Sequence, residues 1–266
     1  MAIKAVLFDL DDTLLWDKRS VQEAFAAVCA YAAERTGADP ARLEEETRKA
    51  ARALYESFDT FPFTQRIGIN PFEGLWARFG EGDLPEFRRL AELAPGYRAE
   101  AWTRGLAACG IRDPELGREL GERFARERRN RPLVYEETFE VLERLKGRYP
   151  LLLLTNGAPD LQREKIASVP PLADYFDHIV ISGEFGEGKP SVRIFEHAAG
   201  LLGIRPEEGI MIGDKLATDI LGASRSGMTS VWINREALPF EGGVKPDYEI
   251  GNLRELLDLP PFSASR

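Results

Sequence analysis

Cysteine is scarce in this 266-residue chain: only Cys29 and Cys109, far apart. Neither has a second Cys or a His at metal-ligand spacing, so no disulfide framework or zinc site is expected, and a reducing cytoplasm is the expected setting. The two histidines, His178 and His197, fall in ordinary strand and helix surroundings and receive no role. Positive charge is in deficit, 35 Lys and Arg against 44 Asp and Glu, for a net charge of -9. That argues against nucleic acid or an anionic membrane as the main partner. A local lysine or cation can still override the global sign for a small phosphorylated metabolite. Long apolar runs are missing too: the densest, Leu151 to Leu154, is far too short to cross a bilayer. The start, Met-Ala-Ile-Lys-Ala-Val, enters a strand directly, so no signal peptide is expected. There is no internal repeat and no low-complexity segment. The remainder, 44% hydrophobic and 30% charged, suits one large α/β domain, or one domain carrying a smaller second.

What is present begins at Ile3. Residues Ile3 to Phe8 form a short apolar run rich in strand formers that stops at Asp9, Asp11 and Asp12. A buried strand ending at a cleft has this pattern. If the extended conformation persists, Asp9 and Asp11 point to the same side. Two carboxylates that close need a metal ion or a shared proton to offset their repulsion. A hard cation with oxygen ligands is the natural partner, Mg2+ first.

From Leu15 to about Arg131 helical spacing takes over. Val21, Ala24, Phe25, Val28 and Ala32 share a face, and Gly37 reads as a stop. Asp39-Pro40 and Asp113-Pro114 read as N-caps followed by proline. Leu43, Thr47, Ala50, Leu54 and Phe58 continue the pattern. Residues 59–74, rich in Pro, Gly and aromatics, read as irregular. Further helix is expected over 75–79, 84–93 and 97–108. The Arg- and Glu-dense stretch 122–131 reads as a solvated helix face. From about Pro132 strands and helices alternate: strands at 150–154, 178–182, 209–212 and 229–233, helices at 136–145, 160–168, 191–202, 216–225 and 253–257. Such alternation implies right-handed crossovers and a Rossmann-like parallel sheet. The expected layout is an α/β core of 1–15 plus 132–266, with 16–131 inserted as a helical cap domain.

Ligands of an open parallel sheet bind at the carboxyl ends of its strands. Asp9 and Asp11, Thr155 and Asn156, Lys189, and Asp214 with Asp219 all fall at or just beyond strand ends. Their chemistry suits phosphoryl transfer. An Asp carboxylate can attack phosphorus, and a second carboxyl two residues on can protonate the leaving group and later activate water. A metal ion and a Lys neutralise the phosphoryl oxygens, and a Thr hydroxyl can bind the rest.

These residues resemble the haloacid dehalogenase (HAD) superfamily in its phosphatase branch. Asp9-Leu-Asp-Asp-Thr13, Thr155-Asn-Gly, Lys189-Pro, and Gly213-Asp214 through Thr218-Asp219 match its four motifs in order. The insertion sits where subfamily I enzymes carry a C1 cap. The resemblance implies Asp9 as nucleophile and Asp11 as acid/base. It implies Mg2+, or another ion such as Co2+ or Mn2+, held by Asp9, the Asp11 carbonyl and Asp214. Asp219 would support the metal and Lys189, and Thr155 and Lys189 would bind phosphate, with Asn156 beside them as a further substrate-binding residue. Gln162-Arg-Glu-Lys-Ile166 and Val231-Trp-Ile-Asn234 resemble the N-acylneuraminate-9-phosphatase type. The cap's Gly-Ile-Asn-Pro-Phe-Glu-Gly looks more like bacillus-type HAD phosphatases, to which phosphoserine phosphatase activity is attributed. Lys215 departs from the Ser, Asn or Thr frequent in relatives. Within the cap, Trp16, Lys18, Arg66 and Asn70 are candidate substrate contacts, and Arg suits a substrate carboxylate. The expected substrate is therefore a small anionic phosphorylated metabolite, phosphoserine first, with a sugar or acylneuraminate phosphate or a nucleotide as alternatives.

Competing readings fare worse. Gly183 to Lys189 begins like a phosphate-binding NTPase loop, but Pro190 stands where Ser or Thr should meet Mg2+. A dehalogenase proper would not need Asp11. A receiver-like signalling domain would be about half this length, and a non-catalytic phosphate-binding relative would be expected to have lost one of the motif residues.

Overall fold

The computed structural model describes residues 3–263. In chain order it contains β1 (Ala5–Phe8), α1 (Asp17–Thr36), α2 (Pro40–Glu56), α3 (Phe61–Ile67), α4 (Pro71–Gly74), α5 (Pro85–Ala108), α6 (Pro114–Arg129) and α7 (Thr138–Leu145). Then follow β2 (Leu151–Thr155), α8 (Pro159–Ala167), β3 (His178–Ile181), α9 (Ser182–Phe185), α10 (Val192–Leu201) and β4 (Gly209–Gly213). A π-helical turn over Leu216–Ile220 leads into α11 (Leu221–Ser226), followed by β5 (Thr229–Ile233), β6 (Tyr248–Ile250) and α12 (Pro260–Ser263). The fold is α/β: a Rossmann-like core with an inserted helical cap.

The chain divides into two compact units. One comprises the residues up to Trp16, Val134–Asn156, and those from Val169 on. The other comprises Asp17–Leu133 and Gly157–Ser168. The sequence reading put 157–168 with the sheet. The structure groups α8 with the insertion because its polar residues are tied there: Lys165 Nζ to Glu73 at 2.9 Å, Glu164 to Arg129 at 2.6 Å, and Asp160 to the Gly80 N–H at 2.8 Å. Ala158 and Leu161 join the same apolar core.

In the sheet unit six strands lie in the order β3-β2-β1-β4-β5-β6, every pairing parallel. The chain runs outward from β1 through β2 to β3, then returns to β4 on the other side of β1. That reversal makes the β1/β4 boundary the topological switch point. Strands buried on both faces must be apolar throughout, and β1, β2 and β4 are fully buried. Leu7, Leu152, Leu154 and Met211 pack against Ile194, Phe195 and Ala198 of α10. Full burial of each such large side chain contributes roughly 1.5–3 kcal/mol. The short edge strand β6, only Tyr-Glu-Ile, had no readable period in the sequence.

In the inserted unit the caps form as read. Asp39 accepts from the Arg42 N–H at 2.7 Å and Asp113 from the Leu116 N–H at 2.9 Å. Gly37 ends α1 with φ +73°. Three expectations are corrected. Residues 59–74 are largely helical, because Pro62 and Pro71 sit in first turns, where a missing N–H costs nothing. Pro85–Ala108 form one helix running through Pro95, since Leu90, Ala94, Tyr97 and Trp102 are buried on both sides of it. Residues 75–79 are turn and irregular chain instead of helix. Within 122–131, Arg123 and Arg131 do pair with Glu127 on the helix surface, but Arg128 is buried against Asp17 at 2.6 Å and lies over the Trp76 ring. Among the described residues no helix is long and apolar enough to cross a membrane.

Candidate active site

The geometry starts from register. Phe8 pairs with Ile212, and the ladder continues one residue further, with the Asp9 N–H donating to the Ile212 carbonyl at 2.9 Å. Asp9 is thereby held beside Gly213, one residue from Asp214. After Asp9 the chain turns back on itself. The N–H groups of Leu14 and Leu15 both donate to the Leu10 carbonyl at 2.9 Å, and the Asp12 N–H donates to the Leu15 carbonyl at 2.7 Å. Asp12 sits at φ +62°, a conformation that Asp tolerates better than most residues. Thr13, fully buried, donates from its hydroxyl to Asp9 Oδ2 at 3.5 Å.

Carboxylate oxygens of Asp9, Asp214 and Asp219 all lie within 4.8 Å of one another. The Asp11 carboxylate is not in that group. Asp219 reaches it because Gly213 has no side chain: a Cβ there would come within 2.3 Å of the Asp219 carboxyl carbon. The Asp219 carboxylate also accepts the Lys215 N–H at 3.0 Å. Lys189 is buried among these groups. Its ammonium has three donors, and it meets Asp9 Oδ1 at 2.5 Å, Asp219 Oδ1 at 2.8 Å and the Leu154 carbonyl at 2.8 Å. The Trp232 indole N–H fixes the Asp214 carbonyl at 2.9 Å.

Electrostatics follow from this crowding. Burial pushes the Asp9 carboxyl above its usual value; Lys189 opposes this and Asp219 adds to it. Burial pushes Asp214 up to about 8, with Lys215 opposing and Asp9, Asp219 and Asp12 reinforcing. Burial works against the Lys189 ammonium, yet Asp219 and Asp9 outweigh it and hold it above the ordinary lysine value. Lys215 behaves alike: its side chain is solvent-exposed, and the surrounding acids Asp214, Asp9, Asp219 and Asp11 overcome a desolvation that acts the other way. Asp214 Oδ1 is buried and accepts no hydrogen bond. Three converging carboxylates, one with an orphaned oxygen and two with raised affinity for protons, are a donor set that a hard divalent cation fits.

The Asn156 side chain is engaged by the backbone of Lys189. Its side-chain oxygen accepts the Lys189 N–H at 2.8 Å and its NH2 donates to the Lys189 carbonyl at 3.0 Å. It therefore grips the backbone of the lysine segment. Thr155, at the end of β2, is buried beside it. Arg66 and Asn70 belong to the inserted unit. The Asn70 oxygen caps α4, accepting from the Phe72 and Glu73 N–H groups at 2.9 and 3.0 Å, so only its NH2 is left for other partners. Arg66 is half exposed and meets Glu86 only at 3.9 Å. The sequence places Asp12 and Trp232 within quoted motifs but gives them no role of their own, and it does not single out Arg235, one residue beyond the Val231-Trp-Ile-Asn234 run.

A parallel sheet with acids and a lysine gathered at its switch point, and a helical insertion after its first strand, defines an α/β protein whose site suits phosphoryl chemistry. Residues 3–227 match the family described as haloacid dehalogenase-like hydrolase. The chain is 37% identical to the phosphoserine phosphatase of Thermus thermophilus over 96% of its length and 98% of that protein. It is 41% identical to the N-acylneuraminate-9-phosphatase of Rattus norvegicus over 46% of its length and 49% of that protein. The HAD-hydrolase YfnB from Bacillus subtilis, solved with magnesium, has the same fold with a TM-score of 0.67 at 19% identity, covering 97% of this chain and 98% of that one. The chain belongs to the haloacid dehalogenase-like hydrolases. Within them it is a phosphoric monoester hydrolase.

Proposed function

We propose that this hydrolase removes phosphate from a small anionic metabolite through an aspartyl-phosphate on Asp9, with phosphoserine as the leading substrate. One observation carries the reading: Asp9, Asp214 and Asp219 converge within 4.8 Å, with Lys189 paired to the first and last of them. Asp9 Oδ attacks phosphorus while the bond to the leaving oxygen breaks. Asp11 protonates that oxygen, then takes a proton from the water that attacks the aspartyl-phosphate and frees phosphate. Lys189 neutralises phosphoryl charge, and Thr155 binds a phosphoryl oxygen. Asn156 positions Lys189. Asp9, Asp214 and the Asp11 carbonyl would hold the divalent ion, Mg2+ first, with Asp219 in support. When bound, that ion supplies positive charge to the phosphoryl oxygens.

A full-length match to a phosphoserine phosphatase supports that substrate. A half-length match to an acylneuraminate phosphatase keeps a sugar acid phosphate as the second choice. Arg66 is the insertion's proposed partner for a substrate carboxylate. Free thiols at Cys29 and Cys109 support a cytoplasmic setting. The test is hydrolysis of an aryl phosphate with Mg2+ by the wild type and by Asp9→Asn. Full activity in Asp9→Asn overturns the nucleophile. A panel of phosphorylated metabolites then ranks substrates, and a clear win for neutral sugar phosphates or nucleotides removes phosphoserine. Arg66→Met should raise KM for phosphoserine and leave the aryl phosphate unaffected.

A further inference from the structure

Arg235 follows β5, outside every motif already named. Its side chain is only 15% exposed, and the guanidinium makes three separate contacts. One nitrogen meets the buried Glu137 carboxylate at 2.6 Å, and another donates to the Thr13 carbonyl at 2.8 Å. The flat face lies over the Tyr135 ring, 3.4 Å from its centre. Tyr135 in turn stacks on Trp16, with centroids 5.2 Å apart and planes 22° apart. Trp16 ends the segment leaving the sheet unit, and Tyr135 lies in the segment returning to it. The two segments are paired locally, Leu15 bridging Val134 and the Tyr135 N–H donating to the Leu14 carbonyl at 3.3 Å. Glu137 is anchored from the other side by the Leu253 N–H at 3.5 Å.

We propose that Arg235 is a positioning residue for the nucleophile loop: it holds the Thr13 carbonyl, and through it the turn of residues 9–15 that carries Asp9 and Asp11. This rests on the phosphatase reading given above. The turn has no long element of its own. Its ends are β1 on one side and the Trp16 segment on the other, and Arg235 ties Thr13 to Glu137 and Tyr135, neither of which belongs to the turn. Only a planar fork with an apolar face satisfies all three contacts at once. Lysine can make one charged contact but neither the paired geometry nor the stack.

The test compares wild type with Arg235→Lys and Arg235→Gln in the full chain. A loosened loop misplaces the nucleophile without removing substrate contacts, so kcat should fall about 10- to 100-fold while KM stays within about twofold. Arg235→Lys should recover part of kcat. Hydrogen exchange gives an activity-independent readout: amides of Asp12, Leu14 and Leu15 should exchange at least about tenfold faster in Arg235→Gln, with β4 unchanged. Unchanged exchange at those amides overturns the proposal, as does a kcat equal to wild type in folded Arg235→Gln. If the wild type hydrolyses no phosphate ester, the phosphatase reading falls while the exchange data still decide the role of Arg235.

Discussion

Replacing Gly213 with alanine tests the packing on which the acid cluster depends. Gly213 does not occupy the left-handed region, so alanine brings no backbone strain, and its only effect is steric. The new Cβ would stand 2.3 Å from the carboxyl carbon and Oδ2 of Asp219, and 2.5 Å from its Cβ. Carbon atoms in contact need about 3.5–4.0 Å, so Asp219 must retreat by roughly 1.2–1.7 Å. Asp219 is fully buried and has two charge-assisted contacts to lose, Lys189 Nζ at 2.8 Å and the Lys215 N–H at 3.0 Å. Overpacking of this kind costs about 1–3 kcal/mol, and weakening a hydrogen bond to a charged group about 1.5–3 kcal/mol. The expected loss of stability is therefore about 2.5–6 kcal/mol. Lys189 would lose one of its two anionic partners, and an error of about 1 Å in its placement should lower kcat by about 100-fold. Urea unfolding followed by fluorescence, with kcat corrected for the folded fraction, measures both. A Gly213→Ala protein with the parent's unfolding midpoint and turnover would refute the claim that this glycine exists to admit Asp219.

Other outcomes follow from the same contacts. Asn156→Ala removes both side-chain bonds to the Lys189 backbone and should cut kcat about tenfold or more with little change in KM, checked by steady-state kinetics. Asn70→Ala removes the α4 cap and should cost about 0.5–2 kcal/mol, read from the unfolding midpoint. Cys29 is fully buried, with burial chiefly pushing its thiol up to about 12, so a thiol reagent should leave it unlabelled in the native protein and label it in urea. Burial alone would raise the Glu137 carboxyl, but Arg235 outweighs it and holds it below the ordinary value near 4.5. Its contribution to stability is therefore complete above about pH 4.5 and lost as pH falls through the lower native value. Glu137→Gln should flatten that part of the stability profile below pH 5, which acid titration of the unfolding midpoint would detect.

Much of the site was written in local chemistry. An apolar strand ending at Asp9, a Thr-Asn turn after Leu151–Leu154, and acids after Gly213 each declare a strand end, because strands buried on both faces cannot hold charge along their length. Aspartate-proline pairs likewise announce helix starts, since capping is a one-turn interaction. Contacts between distant segments were not legible. Which strand lies beside which is set by sheet order, and it is the β1/β4 register that places Asp9 next to Asp214. Asn156 reads in the sequence only as a substrate-binding candidate; the fold alone delivers the Lys189 backbone to its amide. Arg128 looked like surface charge until Asp17 met it from over a hundred positions away. Arg235 gave no sign of its partners, because a hydrogen bond to Thr13 across 222 positions leaves no period in the chain. The sequence by itself determined which chemical groups this enzyme owns and which strand ends present them. Only the tertiary structure decided which groups meet, because a charge is stabilised by partners in space and not by neighbours in sequence.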